Sequence, residues 1–348
     1  MQRTFTKLLT IGAVFLSIHS FAQLDPYFTH YMLNKLSYNP AVAGEKEAIC
    51  VNGITHQQWG RKMKDESTQF KKEIGETTSG VNPATSAFSI TAPILKDNRM
   101  GVGLQVITDK LGYNTALYMR GSVSYKHRFG RRLINGQLSE VLAGGIDFGT
   151  VQIGMDGTKY NPVNSSDPVI PTSLVKGNKF DLGFGLYYTN QTLFDGAYAG
   201  VSMTHLTAPK VDVAGLLNFD VQRYLYILAG TQHQIGGNMM LLPSLLVRNS
   251  PGSGLQVDLS ARLEINQKFM GGINLRSSDA IGLLLGYYIQ PNFYAGYSYD
   301  ITALSGMFKY TSAGTHEIFL SYCFDLTPPP PKSPRPMFNV RYAEGYTY

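Results

Sequence analysis

Charge is scarce in this chain: Asp, Glu, Lys and Arg together make up 16% of it, while Gly (36) and Tyr (22) are plentiful. Cysteine is scarcer still, with two in 348 residues, which excludes a scaffold built on disulfides. Beyond the N-terminus no apolar run reaches the roughly 20 residues that a membrane helix needs. There is no nucleophile elbow, no phosphate-cradling glycine loop and no His/Cys pair at metal-ligand spacing. Enzyme chemistry, cofactors and bound metals therefore find no support in the residues. Lys and Arg form no dense cluster interleaved with aromatics, so nucleic acid is not an expected partner.

The N-terminus has the pattern of a secretory signal. Arg3 and Lys7 precede the apolar stretch Leu8 to Ile18, and Ser20-Phe21-Ala22 supplies small residues for cleavage before Gln23. No cysteine follows the cleavage point, which argues against a lipid anchor there. Losing Arg3 and Lys7 lowers the net charge from +6 to a mild +4. A chain with near-zero mean hydropathy and no spanning helix can still enter a membrane if its apolar residues alternate, because only one face of each strand meets lipid.

Fourteen segments have strand composition: 47–61, 83–95, 99–108, 114–129, 139–153, 179–190, 195–206, 220–234, 238–248, 254–265, 268–276, 280–290, 292–300 and 313–325. In 254–265, Leu255, Val257, Leu259, Ala261, Leu263 and Ile265 share one face, and Gln256, Asp258, Ser260, Arg262 and Glu264 the other. A soluble sandwich would not bury that charged face, but a barrel lumen accepts it. Connections after even strands are mostly tight, as at Gly236-Gly237 and Asn266-Gln267, whereas the long ones, 62–82, 154–178, 207–219 and 301–312, all follow odd strands. Outer-membrane barrels have short periplasmic turns and longer outside loops. The expected fold is all-β, a transmembrane antiparallel barrel of about fourteen strands in the cell outer membrane, with both ends periplasmic and lipid around its wall. Tyr287, Tyr288, Phe293, Tyr294, Tyr297 and Tyr299 gather near one tight turn, where an interfacial aromatic girdle is expected.

Two blocks carry a resemblance. Gln23, Asp25, Pro26, Phe28, Tyr31, Met32, Asn34, Leu36, Asn39, Pro40, Ala41, Ala43 and Gly44 follow the order Q-D-P-x-F-S-Q-Y-M-x-N-x-L-x-x-N-P-A-x-A-G. Gln58-Trp59 fits a Q-W in the first strand, and Gly314 with His316-Glu317-Ile318 fits a closing G-x-H-E-I. On these residues the chain resembles the PorP/SprF family, outer-membrane proteins of the type IX secretion and gliding systems. His30 stands where glutamine is common, and Leu24 is inserted before Asp-Pro. The resemblance implies partners among the periplasmic secretion or gliding proteins, or a secreted adhesin held at the surface. A porin-like passive transporter of small solutes, using lumen charges such as Arg120, Asp147, Asp181 and Arg276, is the competing class.

The chain divides into a signal (1–22), an N-terminal segment acting as plug or strap (23–46), the barrel (47–326) and a Pro-rich periplasmic tail (327–348). Tyr27, Phe28, Tyr31, Met32 and Leu36 favour a segment packed in or against the lumen. Thr315-His316-Glu317 is expected to form a hydrogen-bond network at the barrel seam and not a catalytic site. Cys50 opens the first strand and Cys323 closes the last, both inward by alternation, so a seam disulfide is one reading and buried free thiols the other. In the tail, Pro328 to Pro336 should be a stiff spacer, leaving Phe338, Val340, Tyr342, Tyr346 and Tyr348 for partner binding.

Overall fold

The structure, a computed structural model, describes residues 25–46, 48–58, 83–94, 98–133, 138–159, 171–215, 217–302 and 314–325. The signal segment, Trp59, the loop 62–82, most of 154–178 beyond its strand ends, 303–312 and the tail with Phe338, Val340, Tyr342, Tyr346 and Tyr348 lie outside the described residues. Strands follow one another as β1 (Ala48–Gln57), β2 (Ala84–Ile94), β3 (Met100–Leu111), β4 (Asn114–Arg132), β5 (Leu138–Asp156), β6 (Leu174–Asn190) and β7 (Ala197–Thr204). A short pair comes next, β8 (Lys210–Val213) and β9 (Leu217–Asp220). The remainder is β10 (Tyr224–Thr231), β11 (His233–Gly236), β12 (Met239–Ser250), β13 (Gly254–Ile265), β14 (Phe269–Arg276), β15 (Ile281–Gln290), β16 (Phe293–Ile301) and β17 (Thr315–Asp325).

Each wall strand pairs antiparallel with its neighbours, and β1 pairs with β17 from Ala48↔Asp325 to Gln57↔His316, so the sheet closes on itself. β10 and β11 both pair with β12 and form one stave interrupted near Gln232, which gives a closed barrel of fourteen spanning strands. Closure is what the hydrocarbon demands, since an open edge would leave backbone N–H and C=O groups unpaired where no water can reach them. The side-chain period of two then sorts the residues. Leu104, Leu255, Leu259, Ile273, Leu285 and Ile318 face outward and are exposed, while Gln105, Asp258, Ser260, Arg276 and Glu317 face inward and are buried.

Three local features depart from the sequence expectation. The stretch 207–219, read as a plain loop, carries the β8–β9 hairpin, whose Val211 and Val213 are fully buried beside β6. Two four-residue stretches that alternate apolar with polar side chains, joined through an Ala-Gly turn with positive φ (Ala214 57°, Gly215 72°), explain it. Of the expected girdle, Tyr287 and Tyr297 face outward, but Tyr288 and Tyr294 point into the lumen with their rings 4.9 Å apart. Alternation makes this unavoidable for adjacent tyrosines. Third, β4 and β5 extend to Arg132 and back from Leu138, accounting for the long inner connection after an even strand.

At the inner end of the seam, Cys50 and Cys323 lie opposite each other and are joined as a disulfide with Cα atoms 4.0 Å apart. The Cys323 amide donates to Asn292 O on the other side of its strand, so the cysteines form a non-hydrogen-bonded pair, the narrower site of an antiparallel ladder. The expected outcome of thiol titration on denatured, unreduced protein is no reactive thiol, with both appearing only after reduction; two free thiols before reduction would mean the seam is not covalently closed.

Candidate functional site

A barrel this wide cannot fill its interior with wall side chains alone. Residues 25–46 occupy the lumen, starting near the outer ends of β6, β7 and β10 and descending to the inner end, where β1 begins. Phe28, Tyr31, Met32, Tyr38, Ala41 and Ala43 are all buried. The segment uses tight turns in place of a helix. Asn39 Oδ1 accepts from Ala41 N at 2.9 Å and Pro40 opens the turn that follows, the pairing of cap and fixed φ that Asn-Pro favours. Asn39 Nδ2 also donates to Leu186 O on β6 at 2.9 Å, so one side chain both shapes the segment and moors it.

The wall is cut to receive the segment. A methyl group at Gly101 would collide with the Ala43 carbonyl, and Gly44, at φ 61°, turns the chain against that same glycine. Further mooring comes from Ser124 Oγ to Ala43 O (2.7 Å), Gln105 Nε2 to Ser37 Oγ (2.6 Å) and Ser202 Oγ to Tyr38 O (2.6 Å). Lys126 Nζ donates to the Gly44 carbonyl. Tyr31 Oη lies 3.1 Å from Ser244 Oγ.

Two charged clusters hold the outer half. Glu317, on β17 and buried, accepts from the backbone N–H of Thr29 (2.8 Å) and of His30 (2.7 Å). Its two oxygens also lie 2.7 Å from His30 Nδ1 and 2.8 Å from His56 Nδ1. Beside it, Arg276 meets Asp258 (2.7 Å), Asp279 (3.2 Å) and Asp300 (3.3 Å) and stacks over the Tyr27 ring at 4.2 Å. Asp300 in turn accepts from Thr29 Oγ1 at 2.5 Å.

The second cluster surrounds Asp25. Its carboxylate accepts from Tyr226 Oη (2.8 Å) and lies 2.9 Å from His205 Nε2, while His205 Nδ1 lies 2.7 Å from Asp181. Burial opposes the charge on Asp25, but the charge and hydrogen bond of His205, with Arg120 and Tyr226, outweigh it and hold the carboxyl down at about 2. Burial likewise opposes the imidazolium of His205, just past β7, yet Asp25 and Asp181 hold it up at about 9. At the inner end Lys35 pairs with Glu45 at 2.8 Å and sits over the Tyr198 ring at 4.1 Å.

Of the residues singled out in the sequence, Asp25, Tyr31, Met32, Asn34, Asn39, Pro40 and Gly44 are buried in the lumen, and Pro26 faces the outer vestibule. Glu317 binds this segment, whereas His316, one residue earlier, faces outward and contacts Tyr297 Oη at 2.8 Å. The trio is therefore split across the wall by strand alternation. Sequence reasoning missed His56, His205, Tyr226 and the pairing of His30 with Glu317. Parity offered a signal, since His56 and Glu317 are both inward and directly paired at the seam. Among the described residues no group of three or more His, Cys, Asp or Glu side chains is arranged to hold a metal ion.

Two outcomes follow from these clusters. Glu317→Ala, which leaves two amides and two imidazoles without their acceptor, should cost about 3–5 kcal/mol in urea unfolding from lipid vesicles, while His316→Ala should stay within about 1 kcal/mol. His205 gives its full stabilisation below its ordinary value of 6.5 and loses it as pH rises through about 9; Asp25 gives its own above 3.8 and loses it as pH falls through about 2. Amide-exchange protection of residues 25–46 should accordingly hold level from about pH 4 to 6.5 and weaken toward 9, and His205→Gln should remove that alkaline loss.

The profile of the family described as type IX secretion system membrane protein PorP/SprF matches residues 20–322. No curated protein matches the chain. Among solved structures, the Ralstonia pickettii toluene transporter TbuX is similar at 12% identity over 85% of this chain and 94% of its own, with a TM-score of 0.46. A Pseudomonas aeruginosa FadL homologue is similar at 13% identity over 88% and 96%, with a TM-score of 0.43. The Acinetobacter baumannii outer membrane protein Omp33 is similar at 9% over 81% and 100%, also at 0.43.

Proposed function

The chain belongs to the PorP/SprF family of type IX secretion system membrane proteins, and from that premise we propose that this outer-membrane barrel works without enzymatic chemistry as an anchor joining the two sides of the membrane. In this reading it docks periplasmic secretion or gliding proteins at its inner face or holds a secreted adhesin at its outer loops. The filled lumen carries the reading. Residues 25–46 are moored to β3, β4, β6, β7, β10 and β17 by hydrogen bonds and ion pairs, an investment in rigidity that a conduit for solutes would not need.

Specificity then belongs to loops and ends, because the wall itself faces only lipid and the internal segment. The tail is assigned to the inner contact, with Phe338, Val340, Tyr342, Tyr346 and Tyr348 as partner-binding residues able to add to a sheet edge. Porin-like transport would require the segment to leave the lumen.

Crosslinking in native membranes, comparing the full chain with one ending at Leu326, tests this. Recovery of secretion-machinery proteins, with periplasmic partners lost on truncation, is the expected result. Steady conductance of the purified full-length barrel in a planar bilayer, together with recovery of neither partner class, would favour the transporter instead.

A further inference from the structure

Among the described residues four arginines are buried in the lumen: Arg120, Arg248, Arg262 and Arg276. Three have evident occupations. Arg276 holds three carboxylates, Arg248 donates to Gln256 and stacks on Tyr27, and Arg120 faces Tyr118 and His205 in the field of Asp25, Asp147 and Asp181. Arg262 has none. It is 7% exposed, its Nε has no hydrogen-bond partner, and its Nη1 points at the thioether of Met270 at 3.3 Å. A thioether is a weak acceptor, so the guanidinium is buried with its fork unfilled. Glu264, two residues along on the same face of β13, makes no ion pair with it within 4.0 Å.

The wall makes room for this arginine. Gly272, its partner on β14, would place a Cβ 2.8 Å from Arg262 Cγ, so only glycine lets the side chain lie across the strand. Arg262 lines a cavity of about 870 Å³ that opens at the inner end, between the turn at Asn266-Gln267 and Pro291. Lys35, Lys46, Arg262 and Lys268 line it against Glu45 and Glu264, an excess of positive charge, while Met32, Leu33 and Leu242 supply an apolar flank. Burying an unpaired guanidinium is costly, and natural lumens avoid it unless a counter-charge arrives.

We propose that Arg262 is the receptor for a carboxylate carried on a peptide of a periplasmic partner, which enters the inner vestibule with aliphatic side chains against Met32, Leu33 and Leu242. The planar fork matches a carboxylate through two parallel hydrogen bonds, which makes arginine and not lysine the residue required. This deepens the docking function by naming its chemistry, and the binding test below is independent of whether secretion proteins are recovered from cells.

The probe is a fluorescent Leu-Glu-Leu peptide blocked at both ends, compared with its Leu-Gln-Leu counterpart on the purified full-length barrel in detergent. The Glu peptide should bind about tenfold tighter than the Gln peptide, and Arg262→Gln should erase the difference while Arg262→Lys keeps part of it. Heat-dependent migration of each variant on a gel establishes that the barrel remains folded. A Gln peptide with a free C-terminus distinguishes a terminal carboxylate from a side-chain one as the source. Equal affinity for both blocked peptides, no binding of either, or discrimination that survives Arg262→Gln would overturn the proposal. Tighter binding to a chain ending at Leu326 would overturn the separate partner in favour of the protein's own tail.

Discussion

One buried carboxylate ties together the parts of this protein that lie farthest apart in its sequence. Glu317 belongs to the last strand, His56 to the first, and Thr29 and His30 to the segment inside them. Its bonds therefore span the seam and the lumen at once. Removing a carboxylate from water is unfavourable unless its lone pairs are met, and here four N–H donors or ring nitrogens meet them. Because these partners come from two separate stretches of chain and the carboxylate from a third, the charge is satisfied only when barrel closure and segment docking are both complete. A cooperative native state follows from that geometry.

The lumen repeats the same logic on a larger scale. Lipid forces the outer face to be apolar, and the period of two then leaves the inner face to residues that lipid would reject. In an open channel water would solvate them. With residues 25–46 in place they solvate one another, so Arg276 sits among Asp258, Asp279 and Asp300, and His205 between Asp25 and Asp181. The acid-base pairs that seem scattered along the sequence are neighbours only because strands run back and forth through one enclosed space.

This explains what the sequence reveals and what it hides. The wall was legible: strand 254–265 reads correctly to its ends because leucines and charged residues alternate there without interruption. The hairpin at 210–220 was not, since four-residue strands carry too few positions for a period to emerge. The N-terminal block could be read as a packed segment from its aromatics, but its partners could not. Hydrogen bonds such as Thr29 to Glu317 depend on strand tilt and stagger around the whole circumference, which composition does not encode. Adjacent His316 and Glu317 show the same limit, being neighbours in sequence and strangers in space.

The direction in which the internal segment runs has a mechanical meaning. Its inner end continues into β1, while Asp25 lies at the opposite mouth, so the segment is a leash fastened at one end and latched at the other. Fully extended, residues 25–46 would reach about 70 Å, more than twice the roughly 30 Å of hydrocarbon around the barrel. Were the contacts from Asp25 to Ala43 to release together, that stretch could travel well beyond either face without breaking a strand. A rigid wall and a long internal tether thus coexist in one chain, and a push at one mouth could be felt at the other.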